Sequence, residues 1–190
     1  MLYMSTKLAN LPLFSIRSSA RIGTILSPII NPHNLHIDGF YCKAVHKNDR
    51  LILLDMNIRD FGPGGIIIND HNDLSEPGDL VRLKPILDLS FKLIDKKVIS
   101  SKKTIGKVAE YAIEKESLFV QKLYVVPPVW QSIGTSRLVF DRSSVLEVTD
   151  SHIVVSGPEV PSKETKKSVA LPKFSAGYSA NSTNNSLTKE

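Results

Sequence analysis

The stretch at residues 104–125, TIGKVAEYAIEKESLFVQKLYV, decides the fold. Its first half is rich in Ala, Glu and Lys, residues that favour helix. Its second half, SLFVQKLYV, has the apolar and β-branched character of a strand. A second copy of the pattern resolves the conflict. Residues 21–42, RIGTILSPIINPHNLHIDGFYC, align with it at an offset of 83 residues. Ile22-Gly23 then falls on Ile105-Gly106, Ile25 on Val108, Ile30 on Ile113, Leu35 on Leu118, Ile37 on Val120 and Tyr41 on Tyr124. Pro28 and Pro32 interrupt the first copy, and proline inside a helix removes a hydrogen bond and clashes with the preceding turn. Both copies therefore read as strand, turn, strand. The turns are NPHN (31–34) and EKES (114–117), the first carrying the Asn-Pro turn signal.

The correspondence resumes at an offset of 87. Arg50-Leu51-Ile52 falls on Arg137-Leu138-Val139, Ile58 on Val145, and Ile66-Ile67-Ile68 on Ile153-Val154-Val155. The offset changes by four residues where the second copy carries VPPVWQSIGTS, so one loop insertion accounts for it. A repeat of roughly 70 to 80 residues is too long for a solenoid unit and suits tandem domains. The expected organisation is a first domain over 8–74, a linker over 75–90, a second domain over 91–157 and a disordered tail over 158–190. RLILLDM, GGIIIND, SRLVFDR and SHIVVSG are short apolar runs of strand type, so the fold class is all-β, with small barrels or sandwiches expected. The linker holds the one helical pattern, near 73–89. Leu80, Leu83 and Leu87 recur at helical spacing, Ser75 is placed to cap it and Pro77 suits its first turn. Gly78 and Pro85 limit it to one or two turns. The tail is rich in Ser, Asn, Lys and Pro and lacks apolar periodicity. Its Phe174 and Tyr178 are the residues that would dock if it met a partner.

The chain has 190 residues, 42% hydrophobic, with a net charge of +5. That mild basic bias falls short of the dense Lys/Arg stripe of a dedicated nucleic-acid binder. The single cysteine, Cys42, excludes an internal disulfide and points to a reducing, cytoplasmic setting. Its partner in the repeat is Val125, so it is expected to serve as a small buried hydrophobe. The N-terminal residues lack a signal-peptide pattern. The uncharged run at 22–37 is broken by Pro28 and Pro32, so no membrane span is expected.

No catalytic, cofactor or metal motif emerges. GPGG (62–65) precedes a β-branched run where a phosphate loop requires a helix, and reads as a turn. NDHND (69–73) does not fit a calcium loop, because counting from Asp70 the sixth residue is Ser75 and the twelfth is Val81. His33 and His36 point to opposite faces of a hairpin, and His46, His71 and His152 show no ligand spacing. Ser100 and Lys103 formally make Ser-x-x-Lys, but they fall in a hairpin turn whose repeat partner lacks the lysine. Gly23 and Gly106, at matched positions, are expected to permit a bend or bulge. Two features favour partner binding. The insertion presents Pro127, Pro128 and Trp130, where Trp130 serves either as an interface anchor or as a cap on its own barrel. The second is a basic cluster of Lys92, Lys96, Lys97, Lys102, Lys103 and Lys107, joined in the tail by Lys163, Lys166 and Lys167. No aromatic interleaving accompanies the lysines, so base-specific nucleic-acid binding is not expected.

The order of strand, Ile-Gly-x-Val/Ile, hairpin, apolar strand, Arg-Leu-Ile/Val and late β-branched strand resembles the PRC-barrel family. LIDKKVISSKKTIGKVAEYAIEKESLFVQKLYV (93–125) and TSRLVFDRSSVLEVTDSHIVV (135–155) carry the resemblance. The first copy carries it in LPLFSIRSSARIGTILSPIINPHNLHIDGFYC and DRLILLDMNIRDFGPGGIII, and it spans about residues 8 to 157. DLVRLKPILDLSFKLIDKKV is similar to the link between tandem copies of this type. The resemblance implies two small, strongly bent β-barrels. It also implies binding and assembly roles, as in a photosynthetic reaction-centre subunit, a ribosome maturation factor and stand-alone bacterial and archaeal proteins, with no shared catalytic residue. The reaction-centre subunit has a membrane helix and the maturation factor a different N-terminal domain, so neither role transfers directly. The expectation is a cytoplasmic, non-enzymatic module that docks on a protein or ribonucleoprotein. Its site is expected at the groove between the barrels or at the Trp130 loop, around Pro127, Pro128, Lys96, Lys97, Lys102 and Lys103. The alternative is a scaffold at the membrane surface contacting anionic lipid. Self-association is compatible with either.

Overall fold

In the computed structural model, the segment at 104–125 is a β-hairpin. The structure describes residues 1–45, 49–128 and 137–156, together with the backbone of 160–161. Strand β10 (Lys103–Glu114) turns through residues 115–117 into β11 (Val120–Val126). Burial explains why strand wins over the helical propensity of its first half. Val108, Tyr111, Ala112 and Ile113 are all buried in the sheet, and tertiary burial outweighs a few tenths of a kcal/mol of propensity per residue.

The first sheet contains β2 (Pro12–Ser15), β3 (Ala20–Asn31), β4 (His36–Ala44), β5 (Arg50–Leu54), β6 (Ile58–Gly62), β7 (Gly65–Ile68) and β8 (Leu74–Ser75). Its strand order is β6-β7-β2-β3-β4-β5-β8. The second contains β9 (Lys97–Ser100), β10, β11, β12 (Leu138–Asp141), β13 (Val145–Val148), β14 (His152–Val155) and β15 (Val160–Pro161), in the order β13-β14-β9-β10-β11-β12-β15. The two orders are the same, element for element. Each sheet has one parallel pair, β2 with β7 and β9 with β14. The registers repeat too. Ile25 faces Cys42 where Val108 faces Val125, and Phe40 faces Leu53 where Leu123 faces Phe140. Even the bulges recur, between Ile25/Ser27 and Ile29/Ile30 in β3 and between Val108/Glu110 and Ala112/Ile113 in β10. Such bulges sharpen the bend of long strands, and the result is two curled half-barrel sheets.

Alternation fills the core. Ile66 and Ile68 of β7 are fully buried while Ile67 between them is partly exposed, and Ile153 and Val155 of β14 repeat the phase. Leu13, Ile25, Phe40 and Leu53 of one sheet join Val98, Val108, Leu123 and Phe140 of the other in one continuous apolar cluster.

The segment before each unit lies on the other unit. Strand β1 (Leu2–Met4) pairs antiparallel with β10 of the second sheet, and the Tyr3 ring reaches Phe61 of the first, 4.9 Å between centroids. Helix α1 (Lys84–Leu89), which precedes the second unit, packs on β3 of the first. This helix has the one to two turns expected and occupies the C-terminal end of the 73–89 pattern. Ser75 is used in β8, opposite Ile52, and caps nothing. Pro77 opens a separate 3-10 turn (Pro77–Asp79), and Leu80 at φ −94°, ψ 64° interrupts the chain before α1 begins. Pro85 falls in the first turn of α1, where its missing N–H is no loss, so it starts the helix that it was expected to weaken. The paired backbone extends beyond the boundary expected at 157, because β15 pairs with β12. Residues 162–190, the rest of the expected tail, lie outside the described residues.

The two hairpin tips clasp each other. Ile37 N donates to Leu118 O at 3.0 Å and Val120 N donates to Leu35 O at 2.9 Å. Leu35 and Leu118 are repeat equivalents, and both adopt the left-handed conformation, at φ 56° and 54°. Between these bonds, His36 forms a bridge with its own equivalent, Phe119, ring centroids 4.7 Å apart. Arg142 stacks on the far side of the joint, 3.9 Å from the Phe119 centroid, and donates to Asn34 O at 3.0 Å. Lys115 of one tip pairs with Asp60 of the first sheet at 3.0 Å. A pseudo-twofold axis therefore passes between His36 and Phe119.

Candidate interaction surfaces

The β9–β10 hairpin carries most of the basic cluster. Its turn is the dipeptide Ser101-Lys102, both at positive φ, 48° and 65°. Two-residue hairpin loops favour this mirror-image turn because its twist matches that of the strands. Lys97 lies directly opposite Lys107, and Ser100 opposite Lys103. Lys97, Lys102, Lys103 and Lys107 are exposed and form no ion pair among the described residues. Like charges placed opposite each other in a ladder repel, so an incoming anion would relieve the Lys97–Lys107 contact. Lys96 behaves differently. Its ammonium bonds to the Asp150 carbonyl and lies 4.4 Å from the Phe91 centroid, so it is engaged within the protein. Lys92 is exposed.

Lys97 and Lys107 border an apolar depression of about 680 Å³ that Asp95, Thr104, Val126, Pro127 and Pro128 also line. The structure thus brings Pro127 and Pro128 of the insertion beside Lys97, which sequence reasoning kept as separate features. Pro127 is buried and Pro128 half-buried. Trp130 lies outside the described residues. Gly106 sits at the edge of this depression at φ +159°, and a Cβ there would lie 2.3 Å from Val126 O and 2.7 Å from Val125 Cγ1. Its equivalent, Gly23, meets Lys43 O at 2.7 Å in the same way. Each glycine adjoins a register shift between the first two strands of its sheet. The close approach of the neighbouring strand's carbonyl excludes a side chain at both sites.

A second concavity, about 650 Å³, lies between the units. The segment from Ile86 to Asp95 covers it, and β3, β4 and Tyr111 of β10 form its floor. It contains Tyr41 and Arg50, the Arg50 guanidinium 3.7 Å from the Tyr41 centroid. Sequence reasoning placed a site in the groove between the units but named none of these residues. The available signal was a mismatch in the repeat: Glu110 of the second copy aligns with Ser27 of the first.

The remaining sequence candidates have structural roles. GPGG forms the β6–β7 turn. Asp70 and Asp73 form a reciprocal capping box on the short 3-10 turn His71–Asp73. A hydrogen bond from Arg17 holds the Asp70 carboxyl below its ordinary range. His36 Nδ1 lies 2.8 Å from Asp38 Oδ1. Cys42 is fully buried, and loss of solvent pushes its thiol up to about 11, which removes thiolate at neutral pH. Among the described residues, no three His, Cys, Asp or Glu side chains converge on a common point. No helix among them is long and apolar enough to cross a membrane. Comparison with protein-family models and with curated proteins finds no match to this chain.

Proposed function

We propose that the protein is a non-enzymatic, cytoplasmic binding or assembly module built from two tandem PRC-barrel-like units, and that it docks on a ribonucleoprotein partner. The observation that carries this reading is the cross-strand pair Lys97–Lys107 at the rim of the Pro127–Pro128 depression, with Lys102 and Lys103 exposed at the turn of the same hairpin. The Lys97–Lys107 pair and the two turn lysines outnumber Asp95, the carboxylate of the lining, and this local excess of positive charge favours a polyanionic surface. The apolar depression beside them supplies the non-electrostatic contact that would let binding survive moderate salt.

A crosslinked pull-down of the tagged full chain from its native cells, washed at low and high salt, tests the reading. The parent chain is expected to recover ribosomal proteins and rRNA through the moderate-salt wash. The K97E/K107E double variant is expected to lose them at least tenfold. Recovery of anionic lipid and membrane proteins that salt abolishes would replace the proposal with a membrane-surface scaffold. Equal recovery by parent and variant would remove the hairpin face from the reading.

A further inference from the structure

We propose that the concavity between the units binds a small apolar monocarboxylate, its carboxylate held by Arg50 and its body enclosed beneath the linker. The argument rests on the repeat and is independent of the lysine face. In the second unit, Arg137 pairs with Glu110 at 3.3 Å, and Glu110 also accepts from Thr6 Oγ1 at 2.6 Å. Glu110 is 9% exposed, so this is a carboxylate held inside the protein. In the first unit the equivalents are Arg50 and Ser27. The cation is kept, and so is the tyrosine beside it, Tyr41 for Tyr124. The carboxylate is gone. Arg50 forms no ion pair among the described residues, and Ser27 and Arg50 both line the concavity. A missing acid beside a retained arginine and an open space is a vacancy of defined charge and shape. A guanidinium is the side chain best suited to hold a carboxylate there, through two parallel N–H donors.

A second observation points into the same space. Tyr111 lines it, is only 3% exposed, and its hydroxyl has no hydrogen-bond partner among the described residues. As a residue of the lining, Tyr111 contributes a hydroxyl that can donate to a carboxylate. The walls between these polar groups are apolar, from Pro28, Ile86, Phe91 and Leu93. Lys92 and Asp95 are the other charged residues of the lining, and their charges offset, which leaves Arg50 to set the sign. A largely apolar space with a few convergent polar groups is the usual form of a small-molecule site.

Isothermal titration of the full chain with benzoate, 3-phenylpropionate and hexanoate, each against its primary amide, tests this. At least one acid is expected to bind saturably and at least tenfold tighter than its amide. R50Q is expected to erase that preference, and Y111F to weaken the acid severalfold. S27E, which places a carboxylate where Glu110 stands in the other unit, is expected to block the acid. Far-ultraviolet circular dichroism and the thermal midpoint establish that each variant is folded. Absence of saturable binding by all three acids, equal binding of acid and amide, or unchanged preference in folded R50Q would each overturn the proposal.

Discussion

Gly106 and Gly23 show how one missing side chain sets the path of a strand. A methyl group at Gly106 would lie 2.3 Å from a backbone carbonyl, which cannot move without breaking the β10–β11 ladder. Gly106 also occupies a φ that side chains rarely adopt. G106A is therefore expected to destabilise the protein by about 2–4 kcal/mol. G23A, with its nearest contact at 2.7 Å and no such φ, is expected to cost less. Urea unfolding of both variants checks the order, and an equal or reversed ranking would contradict the steric account. Both glycines were legible in the sequence because they fall at one offset within matched apolar phases. Arg50 and Ser27 were legible only through the repeat mismatch of Ser27 with Glu110, because a cation without its acid has no pattern of its own.

Among the elements, those made of local repeats were readable and those made of distant pairings were not. The hairpins follow from proline positions, alternation and turn residues. Even the helix-like segment at 104–113 yields once Pro28 is set beside it. The linker misled because leucine spacing says nothing about where Ser75 is needed, and β8 takes it. Strand β1 left no signal at all: its partners Ala112, Ile113 and Glu114 lie more than a hundred residues away. Tyr3 is nonetheless 8% exposed and touches both units. Y3A is expected to lower stability by about 3 kcal/mol, a loss typical of a truncated core aromatic. Thermal unfolding checks this, and a loss below about 1 kcal/mol would mean that β1 frays without consequence.

At the scale of the whole molecule, two units share one apolar cluster and a reciprocal clasp. One charged contact across them has a definite pH signature. The hydrogen bond from Lys115 holds the Asp60 carboxyl below its ordinary value of 3.8, aided by the Phe61 N–H. A carboxyl lowered by folding contributes stability above its unfolded value and loses that contribution as pH falls through the folded one. The parent chain is thus expected to melt above D60N at pH 7, with the gap closing as pH falls below the ordinary value of 3.8 and through the lowered one, and shrinking in high salt. A gap that persisted at pH 2 would assign the effect to packing. The arrangement of strands was legible in the sequence to the extent that the offsets of 83 and 87 residues carry it. The clasp was not, since Leu35 and Leu118 look like ordinary turn-flanking leucines until their carbonyls are seen to exchange partners. Each unit's leading segment lies on the other, and each tip bonds the other's tip as two identical subunits would. The single chain thus has the plan of an arm-exchanging homodimer joined in tandem, and its halves differ where Glu110 of one stands against Ser27 of the other.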